Sequence, residues 1–241
     1  MFLPKEREGL YHGPMARQAI ELAEARRWGA GTAAIIRSLI AARSPLTQRA
    51  IAAATSVSQP RVSQVIGLLS SLGGVRATAR GYVGRRSRLL ELYAWRTKPA
   101  LAEPERCFYS TRPLREQARL IVKAARRRRA KIAVSADLGP DLVVPWRHPT
   151  LTIVYAVDSL PMEEAGFVEA EGRGDASIIL RMISDTTLLT PAGHWPSSVE
   201  GIPLTDPVQQ WWDLLDLGGQ DRSEAADRLR RAIIDRSIAS L

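Results

Sequence analysis

The sequence predicts an α+β fold in two parts, a basic N-terminal part of helices with one hairpin and an acidic C-terminal part that mixes strands with helices. Apolar residues recur at helical spacing in segments before residue 73, and three longer segments rich in β-branched residues follow residue 130. Residues 1–131 carry 26 basic and 8 acidic groups, whereas residues 132–241 carry 8 basic and 17 acidic groups. Such asymmetry is typical of a nucleic-acid-binding part joined to a part with another partner, although a two-domain enzyme with uneven surfaces is the alternative.

The composition describes a folded protein and excludes several classes. The chain has 241 residues, is 45% apolar and carries a net charge of +9, which fits one or two domains and a polyanionic partner. Cys107 is the single cysteine, so neither an intrachain disulfide framework nor a multi-thiolate zinc site can form. The first residues lack the apolar run of a secretory signal, and no long apolar run predicts a membrane span. We therefore expect a cytoplasmic protein without a membrane partner.

The first helical segments precede residue 44. Residues 1–31 are predicted to form an N-terminal helical extension that glycines interrupt near its end. The next helix is expected to begin at Thr32, whose hydroxyl suits a helix N-cap, and to end near Arg43. Its apolar residues, spaced for one buried face, are Ile35, Ile36, Leu39 and Ile40.

Two further helices follow, joined by a tight turn. Thr47 is suited to cap a helix over residues 48–55. Ser58 is suited to cap the next helix, in which Pro60 falls in the first turn, where its missing amide would have no partner. The apolar stripe of this third helix consists of Val62, Val65, Ile66, Leu69 and Leu72. The stripe predicts that one face of the third helix is buried.

The opposite face of the third helix is small and polar. It consists of Gln59, Arg61, Ser63, Gln64 and Gly67. Arginine and glutamine form paired hydrogen bonds with base edges, and small neighbours let the helix backbone come close to a duplex. No acidic residue occurs between residues 44 and 90, as expected of a surface that faces phosphates. We therefore predict that Gln59, Arg61, Ser63 and Gln64 read bases in a DNA major groove.

A hairpin is predicted directly after this helix. Residues 75–78 and 82–83 are typical of two short strands, with Arg80 at the tip, where a cation can contact a minor groove or a phosphate. The helices, the tight turn and the hairpin together predict a winged helix-turn-helix DNA-binding domain over residues 32–98. The residues expected to contact the DNA backbone are Thr47, Gln48, Arg49, Arg85 and Arg86, and Arg76 is also expected to contact DNA. A domain of this shape that binds only proteins is the alternative.

A C-terminal α+β domain is predicted over residues 105–241, after a linker rich in proline and alanine. A helix from Leu114 to Lys131 ends in the run Arg126–Arg129, which suits either phosphate binding or the negative end of the helix dipole. Composition predicts strands at 131–136, 150–157 and 176–183, and helices at 206–217 and 223–238.

The segment IPLTDPVQQWWDLLDLGGQDRSEAADRLRRAI resembles the end of the abortive-infection type IV antitoxin family. The residues that carry the resemblance are Asp206-Pro207-Val208-Gln209, Asp213-Leu214-Leu215, Gly218-Gly219 with Arg222, and Glu224-Ala225-Ala226 leading to Leu229. The rest of the chain is similar only in the order of its elements. The resemblance implies a winged-helix repressor that binds repeats in its own promoter and pairs with a nucleotidyltransferase-like toxin encoded nearby. A homodimer or cooperative binding on DNA fits the same architecture.

Motifs for other chemistry are few. The three histidines His12, His148 and His194 are scattered, so none has a second metal ligand at a suitable spacing. The segment 172–175 lacks the length and the lysine of a phosphate-binding loop and is typical of a turn. The tryptophans interpreted as core or interface residues are Trp146, Trp195, Trp211 and Trp212. We therefore predict no catalytic site, no metal and no cofactor.

Two functions of other classes stay open. Asp137 and Asp141 flank a predicted Gly-Pro turn, and a nucleotide-acting enzyme would use them while the basic part delivers substrate, although their spacing is poor for a shared metal. A plasmid replication or partition initiator also uses winged helices on repeated sites. A nucleotidyltransferase gene beside this one would favour the antitoxin, whereas an origin with repeats would favour the initiator.

Overall fold

The protein is a mixed α+β fold in a computed structural model that describes residues 28–146 and 148–238. The predicted extension over residues 1–31 lies outside the described residues except for its last four, and His12 lies outside them too. The N-terminal part contains α1 (Ala30–Ala41), α2 (Gln48–Thr55), α3 (Gln59–Ser71), β1 (Val75–Thr78), β2 (Gly81–Gly84) and α4 (Arg86–Arg96). The predicted order of helices and hairpin is confirmed. Across the part of the chain that is described, no helix is both long enough and apolar enough to cross a membrane.

The start of α1 differs from the prediction. The helix begins at Ala30 with Gly29 at the N-cap position, and Thr32 is a buried residue of the first turn rather than the cap. The chain is anchored just before the helix, where the amide of Trp28 donates to the carbonyl of Arg96 (2.9 Å). The predicted apolar face is confirmed, since exposure does not exceed 1% at Ile35, Ile36, Leu39 and Ile40.

α2 and α3 form as predicted, with different caps. The hydroxyl of Thr47 accepts from the amide of Ala50 (3.1 Å), so Thr47 caps α2 through its side chain. Ser58 occupies the N-cap position of α3, but its hydroxyl makes no capping bond. Pro60 lies in the first turn, as predicted. The buried residues of α3 are Val62, Val65, Ile66 and Leu69, followed by the partly buried Leu72.

β1 and β2 form the predicted hairpin, which also pairs with the segment before α2. Leu46 exchanges two backbone hydrogen bonds with Tyr82 of β2 (2.9 and 2.8 Å), so the start of α2 is joined to the hairpin. Gly81 has a φ of +126°, and a Cβ at this residue would lie 2.5 Å from the carbonyl oxygen of Leu46. Only glycine combines this backbone conformation with so close an approach.

The C-terminal part is built on a five-stranded mixed sheet. Its elements are β3 (Arg106–Tyr109), α5 (Leu114–Arg128), β4 (Ile132–Asp137), α6 (Leu138–Val143), β5 (Thr152–Ala156), β6 (Val168–Glu169), β7 (Ile178–Met182), a 3-10 turn (Thr186–Leu189), β8 (Ser198–Val199), β9 (Ile202–Pro203), α7 (Pro207–Leu217) and α8 (Gln220–Asp235). The strand order is β4-β5-β7-β3-β6, in which β5 and β7 are parallel and the other neighbours are antiparallel. The three predicted strands are β4, β5 and β7, and they are confirmed.

The helices of the C-terminal part follow the prediction with two differences. The side chain of Asp206 accepts from the amides of Val208 and Gln209 (3.1 and 3.0 Å), which starts α7 at the predicted position. α8 begins at residue 220, earlier than predicted. The prediction of a Gly-Pro turn between Asp137 and Asp141 is wrong. Gly139 and Pro140 lie in the first turn of the short helix α6, where proline is tolerated.

The two parts share a hydrophobic core. Apolar side chains of α1, α3 and α4 belong to one cluster with residues of α7 and α8. Trp211 and Trp212 lie in this cluster at 6% and 8% exposure, which confirms their predicted core position. The predicted linker at residues 99–104 also packs, since Leu101 pairs with Ile183 just after β7. The N-terminal part is therefore packed against the C-terminal part, chiefly through α1 and α4.

Buried hydrogen bonds cross the same boundary. Arg37 of α1 forms an ion pair with Asp206 (Nε to Oδ2, 2.8 Å) and donates to the hydroxyl of Tyr93 in α4 (3.2 Å). That hydroxyl donates to Oε1 of Gln209 (2.7 Å), whose Nε2 donates to Oδ1 of Asp213 (3.2 Å). All five side chains are buried. The network therefore joins α1 and α4 to α7.

Asp213 is the centre of this network in the C-terminal part. It is fully buried and accepts from Ser135, from the hydroxyl of Tyr155 (2.7 Å) and from Arg181 (2.9 Å). Arg181 also pairs with Asp216 (2.6 Å), which is partly exposed. Burial outweighs the favourable contacts and raises the pKa of Asp213 to about 6.

Candidate nucleic-acid interface

The four predicted base-reading residues lie together on the exposed face of α3. This set, all of it exposed, is Gln59, Arg61, Ser63 and Gln64. Nη1 of Arg61 donates to Oε1 of Gln64 (3.3 Å), and Nη2 donates to the hydroxyl of Thr32 in α1 (3.3 Å). Bonds of this length are weak, so both side chains are free to turn toward a base edge.

Leu68 belongs to the same face, and the sequence reasoning missed it. It lies seven residues after Arg61 and four after Gln64, so it occupies their side of the helix. Its side chain is 37% exposed. An exposed leucine among polar groups offers an apolar contact for a thymine methyl group. The spacing of three and four residues is the signal that would have identified it.

The start of α2 contacts the hairpin through a side chain as well as through the backbone. Gln48 is half-buried, and its Nε2 donates to the hydroxyl of Tyr82 (3.2 Å). Gln48 therefore supports β2. Thr47 uses its hydroxyl as the helix cap, and Arg49 is exposed. The positive end of the α2 dipole and the Arg49 guanidinium both favour an anion at this position.

The tip of the hairpin carries Arg80, as predicted. The turn is held by Thr78, whose hydroxyl donates to the carbonyl of Gly81 (2.8 Å) and accepts from the amide of Arg80 (3.3 Å). Arg76 of β1 and Arg80 are both exposed. The hairpin therefore presents two exposed cations, of which Arg80 lies on a turn that Thr78 supports.

Arg85 and Arg86 have different environments. Arg85 is exposed, whereas Arg86 is half-buried and donates to the carbonyls of Ile40 and Ala42 (both 2.8 Å). These carbonyls lie at the end of α1, where helical amide partners are lacking. Arg86 therefore caps α1, a structural role that the sequence did not predict, and its contact with DNA stays a prediction.

The cations of this surface are not neutralised by nearby carboxylates. Among the ion pairs of the described residues, none involves Arg49, Arg61, Arg76, Arg80 or Arg85. Glu91, the first acidic residue after this segment, pairs instead with Arg88 (3.2 Å) and Arg230 (3.9 Å). The surface therefore has a positive potential that attracts a polyanion.

Asp137 and Asp141, the candidate residues for the alternative of a nucleotide-acting enzyme, each bind a different arginine. Asp137 accepts twice from Arg222 of α8 (2.8 and 3.0 Å), and Asp141 pairs with Arg115 of α5 (3.1 Å). Within residues 28–146 and 148–238, no group of three or more His, Cys, Asp and Glu side chains is arranged to hold a metal ion. Asp137 and Asp141 line one cleft, and each is engaged by an arginine.

The remaining two tryptophans differ from each other. Trp195 is buried at 6% exposure, which confirms its predicted core position. Trp146 is 41% exposed and is therefore not a core residue. The guanidinium of Arg228 lies 3.2 Å from the centre of the Trp146 ring, a cation–π contact between α8 and the segment after α6.

Comparison with known proteins finds no matching protein-family model, no matching curated protein and no matching solved structure. A functional assignment therefore depends on the residues described above.

Proposed function

We propose that the protein is a sequence-specific, DNA-binding transcriptional repressor that binds double-stranded DNA through a winged helix-turn-helix over residues 32–98. In this proposal α3 enters the major groove, the β1–β2 hairpin is the wing, and the start of α2 contacts the backbone. The observation that carries the proposal is the exposed face of α3, where base-reading side chains are grouped on a surface without acidic residues.

The side chains of this face favour different bases. Arg61 suits a guanine and Gln64 suits an adenine, each through two parallel hydrogen bonds. Leu68 suits the methyl group of a thymine. From Arg61 to Leu68 the helix rises about 10 Å, which matches about three base pairs. The three side chains can therefore read neighbouring base pairs of one site.

The unpaired arginines outside α3 account for the part of the affinity that is independent of sequence. Arg49 at the start of α2, Arg76 and Arg80 in the hairpin and Arg85 beside it are exposed. Because each phosphate contact contributes about −0.9 to the slope of log K against log salt concentration, these four contacts together contribute about −3.6. A slope near zero would contradict the proposed contacts.

Autoregulation and a toxin partner are the finer part of the proposal. They rest on the resemblance of the C-terminal segment to the type IV antitoxin family, in which the repressor and its nucleotidyltransferase-like toxin are encoded together. Binding to promoter DNA makes the cytoplasm the expected compartment. Co-expression with a nucleotidyltransferase encoded beside this chain tests the pairing. Relief of growth arrest supports the pairing, and unrelieved arrest rejects it.

Substitutions on α3 test the proposed reading of bases. Gln64→Ala and Arg61→Ala should each weaken binding to the duplex upstream of the gene about 5- to 150-fold, because a bidentate base contact contributes about 1–3 kcal/mol. Gln64→Ala should leave binding to a mixed-sequence duplex nearly unchanged. Arg112→Ala is the control, since Arg112 is exposed just before α5 and pairs with Glu116 (2.6 Å). Unchanged affinity of both α3 variants would show that α3 does not read DNA.

A further inference from the structure

The C-terminal end of α5 carries a second group of cations without carboxylate partners. This group, called the cationic end of α5, consists of Lys123, Arg126, Arg127, Arg129 and Lys131. All five are exposed, and none takes part in an ion pair found in the described part of the chain. The arginines at the start of α5 and just before it are different, since Arg112 pairs with Glu116 and both Arg115 and Arg119 pair with Glu200.

Helix stability alone does not account for the cationic end of α5. A cation in the last turn gains about 0.3–1 kcal/mol from the helix dipole, but the benefit is confined to that turn. Lys123 and Arg127 lie four residues apart on the helix, where like charges repel each other. Glu164 pairs with Arg128, which lies among the five cations (3.5 Å), and the five cations without an ion pair still repel one another. A bound polyanion would relieve this repulsion.

The cationic end of α5 and the turn between α2 and α3 line adjoining clefts. Arg126 and Lys131 line a cleft together with Thr186 and Thr190. The same two threonines line a second cleft against Ser56, which lies in the turn between α2 and α3. The two clefts therefore meet at Thr186 and Thr190, and hydroxyl groups continue from the turn to the cations.

The segment between the two clefts is held in place by buried bonds. The hydroxyl of Thr187 accepts from Nη2 of Arg37 (2.6 Å), and the amide of Thr187 donates to Asp185 (3.0 Å). Arg37 is itself paired with Asp206. The segment that lines both clefts therefore has a fixed position relative to α1, on which α2 and α3 pack.

We propose that the cationic end of α5 binds the phosphate backbone of DNA that flanks the base pairs read by α3. The inference rests on the proposed function, because it requires a duplex held by α3. DNA is favoured over an acidic protein because the clefts begin at the turn before α3 and because their hydroxyl groups suit phosphate oxygens. Contacts to phosphates add affinity without adding sequence preference.

The salt dependence of DNA binding tests this inference. The double variant Arg126→Gln/Arg127→Gln should make the negative slope of log K against log salt concentration shallower by about 1.8, because each phosphate contact contributes about −0.9. The reduction should be the same for the upstream duplex and for a mixed-sequence duplex. Arg126→Lys/Arg127→Lys keeps both charges and should keep the slope. The matched control, Arg112→Gln/Arg119→Gln, removes one cation just before α5 and one on it, both paired with glutamates, and should change the slope little.

The outcomes separate this inference from the proposed function. If the wild-type protein binds the upstream duplex and the Arg126→Gln/Arg127→Gln variant has the slope of the control, the inference is wrong and the proposed function stands. If the wild-type protein binds neither duplex, both are wrong. Circular dichroism checks that each variant folds. If the double variant unfolds, Arg127→Gln alone carries the test, with an expected slope change of about 0.9.

Discussion

Arg37 of α1 and Asp206 at the N-cap of α7 form an ion pair with an Nε–Oδ2 distance of 2.8 Å, and neither side chain is more than 2% exposed. One partner lies in the part proposed to bind DNA, and the other lies in the C-terminal part. Burial alone would lower the pKa of Arg37, but Tyr93 and Asp206 raise it above its ordinary value, so Arg37 is charged. The candidate DNA-binding surface is thus supported by a buried charge pair with the C-terminal part.

Removal of one partner of this pair should destabilise the fold strongly. Arg37→Met should lower the free energy of unfolding by about 3–5 kcal/mol, because Asp206 becomes a buried charge without a counter-ion. Arg37→Met/Asp206→Asn should recover part of the loss, since it removes both charges while an amide oxygen can still cap α7. Urea denaturation measures both. Arg112→Ala, at an exposed pair, should cost less than about 1 kcal/mol. A loss that small for Arg37→Met would show that the pair does not support the fold.

The pKa of Asp213 predicts a component of stability that is lost as the pH rises. The pKa is raised from 3.8 to about 6 by burial, so the folded protein binds this proton more tightly than the unfolded chain does. The component is therefore complete below about pH 4 and is lost as Asp213 ionises near pH 6, at a cost of about 3 kcal/mol. The free energy of unfolding of the wild type minus that of Asp213→Asn should fall by this amount between pH 4 and 7. A difference that does not vary with pH would contradict the prediction.

Gly81 should not tolerate a side chain, because a Cβ there would contact Leu46. A second glycine with a positive φ separates this contact from backbone strain. Gly81→Ala places a Cβ against the carbonyl of Leu46 in addition to the strain of a positive φ, so we expect a lower melting temperature and weaker DNA binding through displacement of Arg80. Gly166→Ala is the control, because Gly166 also has a positive φ (+89°) but has no atom within 4 Å of the new Cβ. Equal losses in the two variants would show that the contact with Leu46 is unimportant.

Gly67 should respond to substitution with opposite effects on stability and on binding. It is an exposed residue of α3 with no atom within 4 Å of a new Cβ. Gly67→Ala should therefore raise the free energy of unfolding by about 1 kcal/mol, since glycine is a poor helix former. Gly67→Glu should fold at least as stably as the wild type but lose DNA binding, because its carboxylate would face the duplex. Retention of full DNA affinity by Gly67→Glu would exclude this face from the interface.

Local patterns were sufficient for the elements that have long periodic runs. The apolar spacing of α3 and the capping residues Thr47 and Asp206 predicted helix positions because these signals act within a few residues. The strands β3, β6, β8 and β9 are two to four residues long, too short for an alternating pattern. Their pairing is decided by distant partners, as Cys107 of β3 faces Ile179 of β7.

The candidate site was predictable in part for a similar reason. Exposure along α3 follows from its periodicity, so Gln59, Ser63 and Gln64 are exposed as expected. The capping role of Arg86 depends on carbonyls at the end of α1, more than forty residues away, which no local pattern indicates. The shared core was not predicted, because it is formed by side chains that are distant in the sequence. Composition alone indicated a domain boundary at the linker.

The ratio of affinities for two duplexes measures sequence-specific DNA binding through α3. One duplex carries the region upstream of the gene, and the other carries the same bases in scrambled order. At one salt concentration, the wild type should bind the first about 10³-fold or more tightly than the second. Gln64→Ala should reduce that ratio about tenfold, because it removes a base contact and no charge. Equal affinities of the wild type for the two duplexes would contradict the claim.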